Sequence, residues 1–390
     1  MADLGSFLTG VRVLDLSQYI PGPMASLFLS DMGAEVIKIE PPQGDEMRKL
    51  GPRDAQGRPV FYRSMNAGKT VRRMNLKDDA ERQEFLSLVA SADIVLEGFR
   101  PGVMRRLGID YPVLRKANPA IILCSISGYG KNATLSPMAG HDANYLALMG
   151  MLDRNGIDQP AFFDPPVSDV AGSLFAATVM LGALHGRDRT GEGCEIDLAL
   201  ADTIMPLQMM QVADYGANGT VPRRGTTYLN GAAAYYQVYR TRDDCFVVLG
   251  AVEPKFWKTF CETAGREDWI ARHDDEFPQH ALMAEVAAWF RDMTRSQAME
   301  RFRQADCCIT VVNDLGTALD QQHLCERQLV RTGPSGEIQA LFPAWIDGTP
   351  PKSRPPPLDY ESMHRGRAIR EPAGNSTETK QYEQGGKSWA

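Results

Sequence analysis

The sequence lacks the features of exported and membrane-spanning proteins. No uninterrupted apolar run is long enough to cross a bilayer, and residues 1–6 lack a basic region followed by an apolar one. The seven cysteines are scattered and include no Cys-x-x-Cys pair, so neither a disulfide framework nor a zinc ribbon is indicated. From these absences we predict a cytoplasmic protein that does not associate with a membrane.

The sequence also lacks an excess of positive charge. Its net charge is −7, whereas a nucleic-acid partner needs a basic face, so we expect no nucleic acid to bind. An anionic small molecule remains possible because basic residues gather in the first third of the chain. We expect most of them on a solvated surface. They are Lys38, Arg48, Arg63, Lys69, Arg72, Arg73, Lys77, Arg100, Arg105 and Arg106.

Two nucleotide-binding motifs are missing. No Gly-x-Gly-x-x-Gly lies between the first predicted strand and its helix, which argues against a dinucleotide site of the usual kind. The segment Gly68-Lys69-Thr70 looks like the end of a P-loop, but the required glycine five residues earlier is Arg63. Nucleotide hydrolysis therefore loses its main support.

The pattern that is present is one of strands alternating with helices. It predicts an open parallel sheet of the α/β class, and 390 residues favour two domains. After about residue 228 the periodicity becomes strand-like around a turn at 241–244, which predicts a hairpin that opens a second domain. The predicted strands of the first domain cover 11–16, 35–40, 93–97, 120–126 and 195–198, and its helices about 25–32, 78–91 and 170–185.

The stretch 139–150 carries the most unusual chemistry. His141 and Asp142 stand side by side after Gly140, where a helix is predicted to begin. Free amides at a helix N-terminus disfavour imidazolium and favour an oxyanion, so His141 is a candidate proton acceptor. The alternative is that Asp142 caps the helix and His141 only fills the turn.

Other side chains have structural explanations that compete with functional ones. Asp169 stands where the apolar helix 170–185 is predicted to begin, so N-capping is its alternative role. The Met-rich helix at 204–211 is expected to pack in the core. A second set could line an apolar groove, although a core role is favoured. Its members are Met149, Met151, Phe162 and Phe163.

Several motifs together resemble the family III CoA-transferase (CaiB/BaiF) superfamily, and within it the α-methylacyl-CoA racemases most closely. The resemblance covers residues 10 to about 330. The matching stretches are 13–16 with 21–23, 33–40, 97–103 with 107–108, 127–130, 140–150, 189–193 and 252–256.

The resemblance implies roles for particular residues. Racemases of the superfamily carry His141, Asp142, Asp169 and Glu253, and all four are present. In a racemase, His141 and Asp169 would move a proton at the α-carbon of a 2-methylacyl-CoA through an enolate, with Glu253 orienting the imidazole. In a transferase, Asp169 would instead form an aspartyl-CoA thioester while CoA passes to a carboxylic acid, and a glycine-rich run would close over the site at 230–234. A non-catalytic CoA-binding protein is the minor alternative.

The same resemblance implies the partners and the architecture. CoA would be bound by Arg106, Lys77, Arg100 and Tyr129, and no metal or cofactor besides the CoA of the substrate is expected. The family architecture is an interlocked homodimer with the active site between the domains. A large α/β domain would comprise residues 1–200 and 335–390, a linker 201–224, and a small α+β domain 225–334. The polar tail from about 372 is expected to be an arm or disordered.

Overall fold

The computed structural model describes residues 3–360, so the predicted tail from about 372 lies outside the described residues. Its main feature is a seven-stranded sheet, which confirms the predicted parallel α/β architecture. The strands of the described chain are β1 (Arg12–Asp15), β2 (Glu35–Glu40), β3 (Thr70–Arg73), β4 (Ile94–Glu97), β5 (Ile122–Ser127), β6 (Glu195–Ala199), β7 (Tyr236–Arg240), β8 (Phe246–Gly250), β9 (Ile309–Val311), β10 (Val330–Thr332), β11 (Ile338–Ala340) and β12 (Leu358–Asp359).

The order of strands in the large sheet is β12-β3-β2-β1-β4-β5-β6, and every neighbouring pair is parallel. The chain moves outward from β1 to β3 on one side and then from β4 to β6 on the other. The order therefore reverses between β1 and β4. In open α/β sheets, a crevice forms at the carboxyl ends of the strands at such a point.

Helices cover both faces of this sheet. Ala25 and Leu29 pack on one face together with Met180, while Phe85 and Leu114 pack on the other. Both faces of the strands are therefore buried, as is usual for a parallel sheet. The helices are α1 (Pro21–Asp31), α2 (Val60–Asn66), α3 (Asp79–Val89), α4 (Val103–Arg106), α5 (Tyr111–Ala117), α6 (Asp142–Leu148), α7 (Val167–Thr190), α8 (Ile204–Leu207), α9 (Met209–Asn218), α10 (Pro254–Ala264), α11 (His280–Arg291), α12 (Arg295–Phe302), α13 (Leu315–Leu319) and α14 (Gln322–Arg327).

A second, smaller unit follows the large sheet in the chain. Strands β7, β8 and β9 form an antiparallel sheet, and the first two are the predicted hairpin. An aromatic core packs against them, including Trp257, Phe260, Trp269 and Phe290, all with no exposed surface. After this unit, β12 adds the end of the described chain to the large sheet, beside β3.

Helix α7 differs from its prediction. It begins at Val167 and ends at Thr190, and so is longer at both ends than the expected 170–185. By length and composition alone it could cross a membrane, contrary to the expectation that no segment could. Its buried positions, including Ala176, Met180 and Leu184, pack into the core of the large sheet, which is typical of a core helix.

Two predictions of buried apolar side chains were wrong. The Met-rich segment forms two helices, α8 and α9, and Met209 and Met210 are exposed rather than packed in the core. Phe162 is also exposed, at 81% of its surface. Composition shows that a segment is apolar, but it does not show whether the rest of the chain covers it.

Candidate active site

The site builds up where the first turns of α6 and α7 meet. His141 is the N-cap residue of α6, its side chain is exposed, and its N–H donates to the Asn144 Oδ1 at 3.0 Å. His141 thus sits in extended backbone just before the helix, as predicted. Among the described residues, the N–H groups of Asp142 and Ala143 have no acceptor, because first-turn amides have no carbonyl four residues earlier.

A pair of tyrosines fixes the entry to α6. The rings of Tyr129 and Tyr145 meet edge to face with centroids 5.2 Å apart, and the Tyr145 hydroxyl donates to the carbonyl of Gly140 at 2.6 Å. A Cβ on Gly140 would lie 2.7 Å from the Tyr129 hydroxyl, and one on Gly128 would lie 2.6 Å from the Tyr145 hydroxyl. Only glycine fits at these two positions, so the tyrosines and glycines position His141 together.

Asp142 does not cap its own helix, α6, which was the alternative role considered for it. Its carboxylate does not cap α6 but accepts the N–H of Ser168 at 2.6 Å, and the N–H of Asp169 as well. Asp142 therefore caps the first turn of α7, whose own N-cap residue is Pro166 and offers no side-chain acceptor. This contact between two helices joins the segment that carries His141 to the segment that carries Asp169.

Asp169 lies inside the first turn of α7, so the capping role considered for it was wrong. Burial raises its pKa and the negative charge of Asp142 adds to the effect, while His141 opposes it, giving a pKa of about 6. The carboxyl of Asp169 is half-buried, and among the described residues His141 is the one positive influence on its pKa and does not offset the rise. A carboxyl with a pKa near neutrality is suited to taking up and releasing protons.

A cavity of about 560 Å³ opens at the carboxyl ends of β1 to β4, where the strand order reverses. Its walls include Leu16, Ile39, Met74 and Phe99, and Lys77 lines its rim. The loop after β4 and helix α4 form another wall and carry the exposed side chains of Arg100 and Arg106. The structure thus brings these three of the four predicted CoA-binding residues to one region.

Arg100 also links this cavity to the region of Asp169. Burial raises the pKa of Tyr145 to about 12, with further contributions from Tyr129 and Asp169, while the charge of Arg100 opposes the rise. Arg100 therefore lies in the electrostatic neighbourhood of the α6 segment. The loop that holds it is fixed by Glu97, whose buried carboxyl accepts the N–H of Phe99 at 2.7 Å.

Glu253 is not brought to the other predicted catalytic residues within the described chain. It is the exposed N-cap residue of α10 in the smaller unit. There, burial raises the pKa of Cys308 and the negative charge of Glu253 adds to the rise. The charges that act on Asp169 come from Asp142 and His141. The described residues 3–360 contain no group of three or more His, Cys, Asp or Glu side chains that could hold a metal ion.

The sequence analysis missed a buried network of charges beneath the cavity. Lys69 Nζ lies 3.2 Å from Asp15 Oδ2, and Lys38 Nζ lies 2.9 Å from Asp45 Oδ2. All four side chains are buried, so the expectation of a solvated surface was wrong for both lysines. Lys38 also donates to the carbonyl of Ser17 at 2.7 Å, which holds the turn after β1 in place.

A second part of this network lies at the end of β2. Arg48 donates to both carboxylate oxygens of Glu40, at 2.8 and 2.9 Å, and its guanidinium lies 3.9 Å from the centroid of the Tyr62 ring. Glu40 itself lines the cavity. The cavity wall is therefore supported by ion pairs rather than by apolar packing alone.

Comparisons with known proteins give matches over most of the chain. A family model described as CoA-transferase family III matches residues 8–361. The succinyl-CoA:mesaconate CoA-transferase of Haloarcula marismortui is 31% identical over 338 residues, 83% of this chain and 84% of the relative. The human α-methylacyl-CoA racemase is 30% identical over 327 residues, 82% of this chain and 81% of the relative. A crystal structure of a CAIB/BAIF family protein from Brucella suis matches with a TM-score of 0.81 at 25% identity, covering 92% of this chain and 98% of that one.

Proposed function

This chain belongs to CoA-transferase family III, and on that premise we propose that it is a racemase or epimerase of a 2-methylacyl-CoA thioester. The family assignment confirms the resemblance read from the sequence motifs. It does not select one activity, because similar relatives carry both transferase and racemase names. The choice between them depends on the side chains at the site.

The observation that supports a racemase is the pairing of His141 with Asp169. Inversion needs one group that removes the α-proton from one face and another that returns a proton to the opposite face. The C–H bond breaks, its electron pair moves to the thioester oxygen, and the resulting enolate is reprotonated. With a pKa of about 6, Asp169 is mostly ionised at neutral pH yet is readily protonated.

The enolate oxygen needs hydrogen-bond donors close to His141 and Asp169. We assign this role to the free N–H groups of Asp142 and Ala143, which have no acceptor among the described residues. The CoA portion is assigned to the cavity at the carboxyl ends of β1 to β4. There Lys77, Arg100 and Arg106 would contact its phosphates, and Tyr129 would lie between this cavity and α6.

The second candidate is a CoA-transferase, which the names of similar relatives favour. In this scheme, the carboxylate of Asp169 attacks the thioester carbonyl and releases CoA as thiolate. The thiolate then attacks the aspartyl carbonyl of the mixed anhydride and expels the donor acid as a carboxylate, which leaves CoA on Asp169 as a thioester. An acceptor carboxylate attacks this thioester and releases the thiolate again. The thiolate finally attacks the acceptor carbonyl of the new anhydride, which forms the product thioester and frees the carboxylate of Asp169. Against this scheme, Ala232, Ala233 and Ala234 are fully buried, and the N–H of Ala234 donates to the Gln279 side chain at 2.9 Å. This segment is fixed in the small-unit core rather than free to close.

Incubation with a single enantiomer of 2-methyloctanoyl-CoA in D₂O, without an acceptor acid, tests the proposal. We expect deuterium at the α-carbon and loss of optical purity. The variants Asp169→Asn and His141→Gln should each lower the rate by roughly 10²- to 10⁴-fold. The matched controls are His185→Gln and Asp188→Asn, which alter exposed residues at the other end of α7 and should leave it unchanged.

Two other outcomes would favour the alternative functions. Absence of exchange, together with transfer of CoA to an added carboxylic acid and an adduct at Asp169 that hydroxylamine traps, would replace the racemase proposal by the transferase. Absence of both reactions with intact CoA binding would leave the non-catalytic CoA-binding alternative.

We also propose that the protein is a homodimer. An exposed apolar band on α7, α8 and α9 supports this, since such patches commonly mark interfaces. Light scattering during gel filtration should give twice the chain mass of 43.1 kDa. The band consists of Leu174, Phe175, Val179, Leu207, Met209 and Met210.

A further inference from the structure

A second cavity lies at the end of α6 opposite to His141. It has a volume of about 410 Å³ and lies between the residues that follow α6 and helices α8 and α9. Met149, Met205, Val212 and Tyr215 give it an apolar wall. It is separate from the cavity assigned to CoA, with which it shares no lining residue.

One cation in the wall of this cavity has no counterion among the residues that the structure describes. The guanidinium of Arg154 donates one hydrogen bond, from Nη2 to the Oε1 of Gln208 at 2.7 Å. Within residues 3–360, no carboxylate lies within ion-pair distance of Arg154. Burial lowers its pKa, but an arginine side chain remains charged in proteins. The cavity therefore contains a half-buried positive charge, and most of its N–H donors have no protein acceptor within residues 3–360.

The position of this guanidinium is fixed by the fold. Gln208 is almost fully buried, with 5% of its surface exposed, and its Nε2 donates to the carbonyl of Met149 at 2.9 Å. The amide of Gln208 thus connects Arg154 to the end of α6. An arginine that is held in this way is pre-organised to form the paired hydrogen bonds that a carboxylate accepts.

The neighbouring acid does not neutralise Arg154. Asp153, which also lines the cavity, is 3.1 Å from Arg223 and 2.9 Å from Arg224. These two arginines already exceed its single negative charge. Of the two charged side chains that line the cavity, Asp153 is therefore neutralised by arginines outside the lining while Arg154 is not, which favours an anionic ligand although the whole chain has a net charge of −7.

We propose that this cavity binds a carboxylate at the far end of the acyl chain, so that the substrate is a CoA thioester of a dicarboxylic acid of medium chain length. The inference rests on the proposed function, because it places the thioester at His141 and Asp169. Helix α6 has seven residues and so spans roughly 10 Å between His141 and the cavity. The apolar wall would contact the methylene chain and Arg154 would bind the terminal carboxylate.

Calorimetric binding of two matched thioesters tests the subsite without any turnover. The probes are octanoyl-CoA and the same thioester with a carboxylate at its terminal carbon. The wild-type protein should bind the carboxylated probe roughly tenfold to a hundredfold more tightly. The variant Arg154→Gln should lose this preference and keep its affinity for octanoyl-CoA, and Arg154→Lys should keep part of the preference.

The control is Arg115→Gln, which removes one positive charge from an exposed ion pair on α5 and should keep the full preference. Equal affinities of the wild-type protein for the two probes would overturn the proposal. So would a preference that survives in Arg154→Gln, or an equal loss of affinity for both probes in Arg154→Lys. If 2-methyloctanoyl-CoA undergoes no exchange but the binding preference is present, the proposed reaction fails while the carboxylate subsite stands.

Discussion

Two aspartates of the large sheet domain respond to burial in opposite ways. Asp15, at the end of β1, is completely buried, whereas Asp169, at the start of α7, is half-buried. Burial alone would raise both pKa values. Yet Lys69 and Lys38 lower the pKa of Asp15 to about 2, while the pKa of Asp169 rises to about 6. The charged neighbours, not the depth of burial, therefore decide which carboxyl can exchange protons near neutral pH.

The same contrast distinguishes a carboxylate with a structural role, Asp15, from one that can exchange a proton, Asp169. The carboxylate of Asp15 is neutralised by lysine and accepts hydrogen bonds from the hydroxyls of Ser17 and Ser26. It therefore stays ionised near neutral pH, and it belongs to the buried ion pairs beneath the cavity at the carboxyl ends of β1 to β4. Asp169 has another carboxylate, Asp142, as its main charged neighbour, and so keeps two accessible protonation states.

The largest expected effect comes from removing the cation that neutralises Asp15. Lys69→Met would leave a buried carboxylate without its nearest counterion, which typically costs about 3–5 kcal/mol of unfolding free energy. Denaturant titration at neutral pH measures the loss. The control Lys352→Met breaks an exposed pair with Asp3 and should leave the unfolding free energy almost unchanged. Similar small losses in both variants would contradict the role given to the network.

The next largest effect is a gain in unfolding free energy, which is expected when Asp169 is replaced. The pKa of Asp169 is raised in the folded protein, so the stability that its proton contributes is complete below about pH 4 and is lost as the pH rises through about 6. Asp169→Asn, which imitates the neutral form, should therefore be more stable than the wild type at pH 8, by about 1–3 kcal/mol. Chemical denaturation at several pH values measures this gain, which should vanish below about pH 4. A variant that is less stable at pH 8 would refute the assignment.

The smallest expected effect concerns Asp142, the carboxylate whose negative charge helps to raise the pKa of Asp169. Asp142→Asn keeps an oxygen that can cap α7 but removes the negative charge near Asp169. The pKa of Asp169 should fall, and the acidic limb of the α-proton exchange rate should move to lower pH by up to about one unit. The pH profile of exchange measures the shift. Asp142→Ala serves as the comparison, because it also loses the cap and should cost about 1 kcal/mol of stability.

The sequence was sufficient for the parts of the fold that depend on local pattern. Short runs rich in apolar residues and followed by turns placed β1, β2, β4 and β5 within a few residues, because strands buried on both faces are mostly apolar. The hairpin of β7 and β8 was predicted for a similar reason. The side-by-side His141 and Asp142 were recognisable because they follow a glycine at a helix start.

Contacts between distant residues were not predictable in the same way. Lys69 meets Asp15, 54 positions earlier, and Asp142 caps a helix 26 positions later. Neither pairing leaves a periodic trace in the sequence. One signal was present for Lys38, because it stands between Ile37 and Ile39 in a predicted strand of a parallel sheet. Such strands are usually buried on both faces, and a buried lysine requires an anion beside it.

The return of the chain to the large sheet has a consequence for how the protein is made. Strand β12 pairs with β3, and just before it Arg354 donates to both carboxylate oxygens of Asp31, at 2.6 and 2.7 Å. On a ribosome, β3 emerges nearly 300 residues ahead of the strand that covers it. Throughout that interval its edge has unpaired amides and carbonyls, which can template pairing with another chain. Within residues 3–360, β12 is the last strand to be synthesised, so a nascent chain released before Leu358 would leave the edge of β3 open to pairing with another chain.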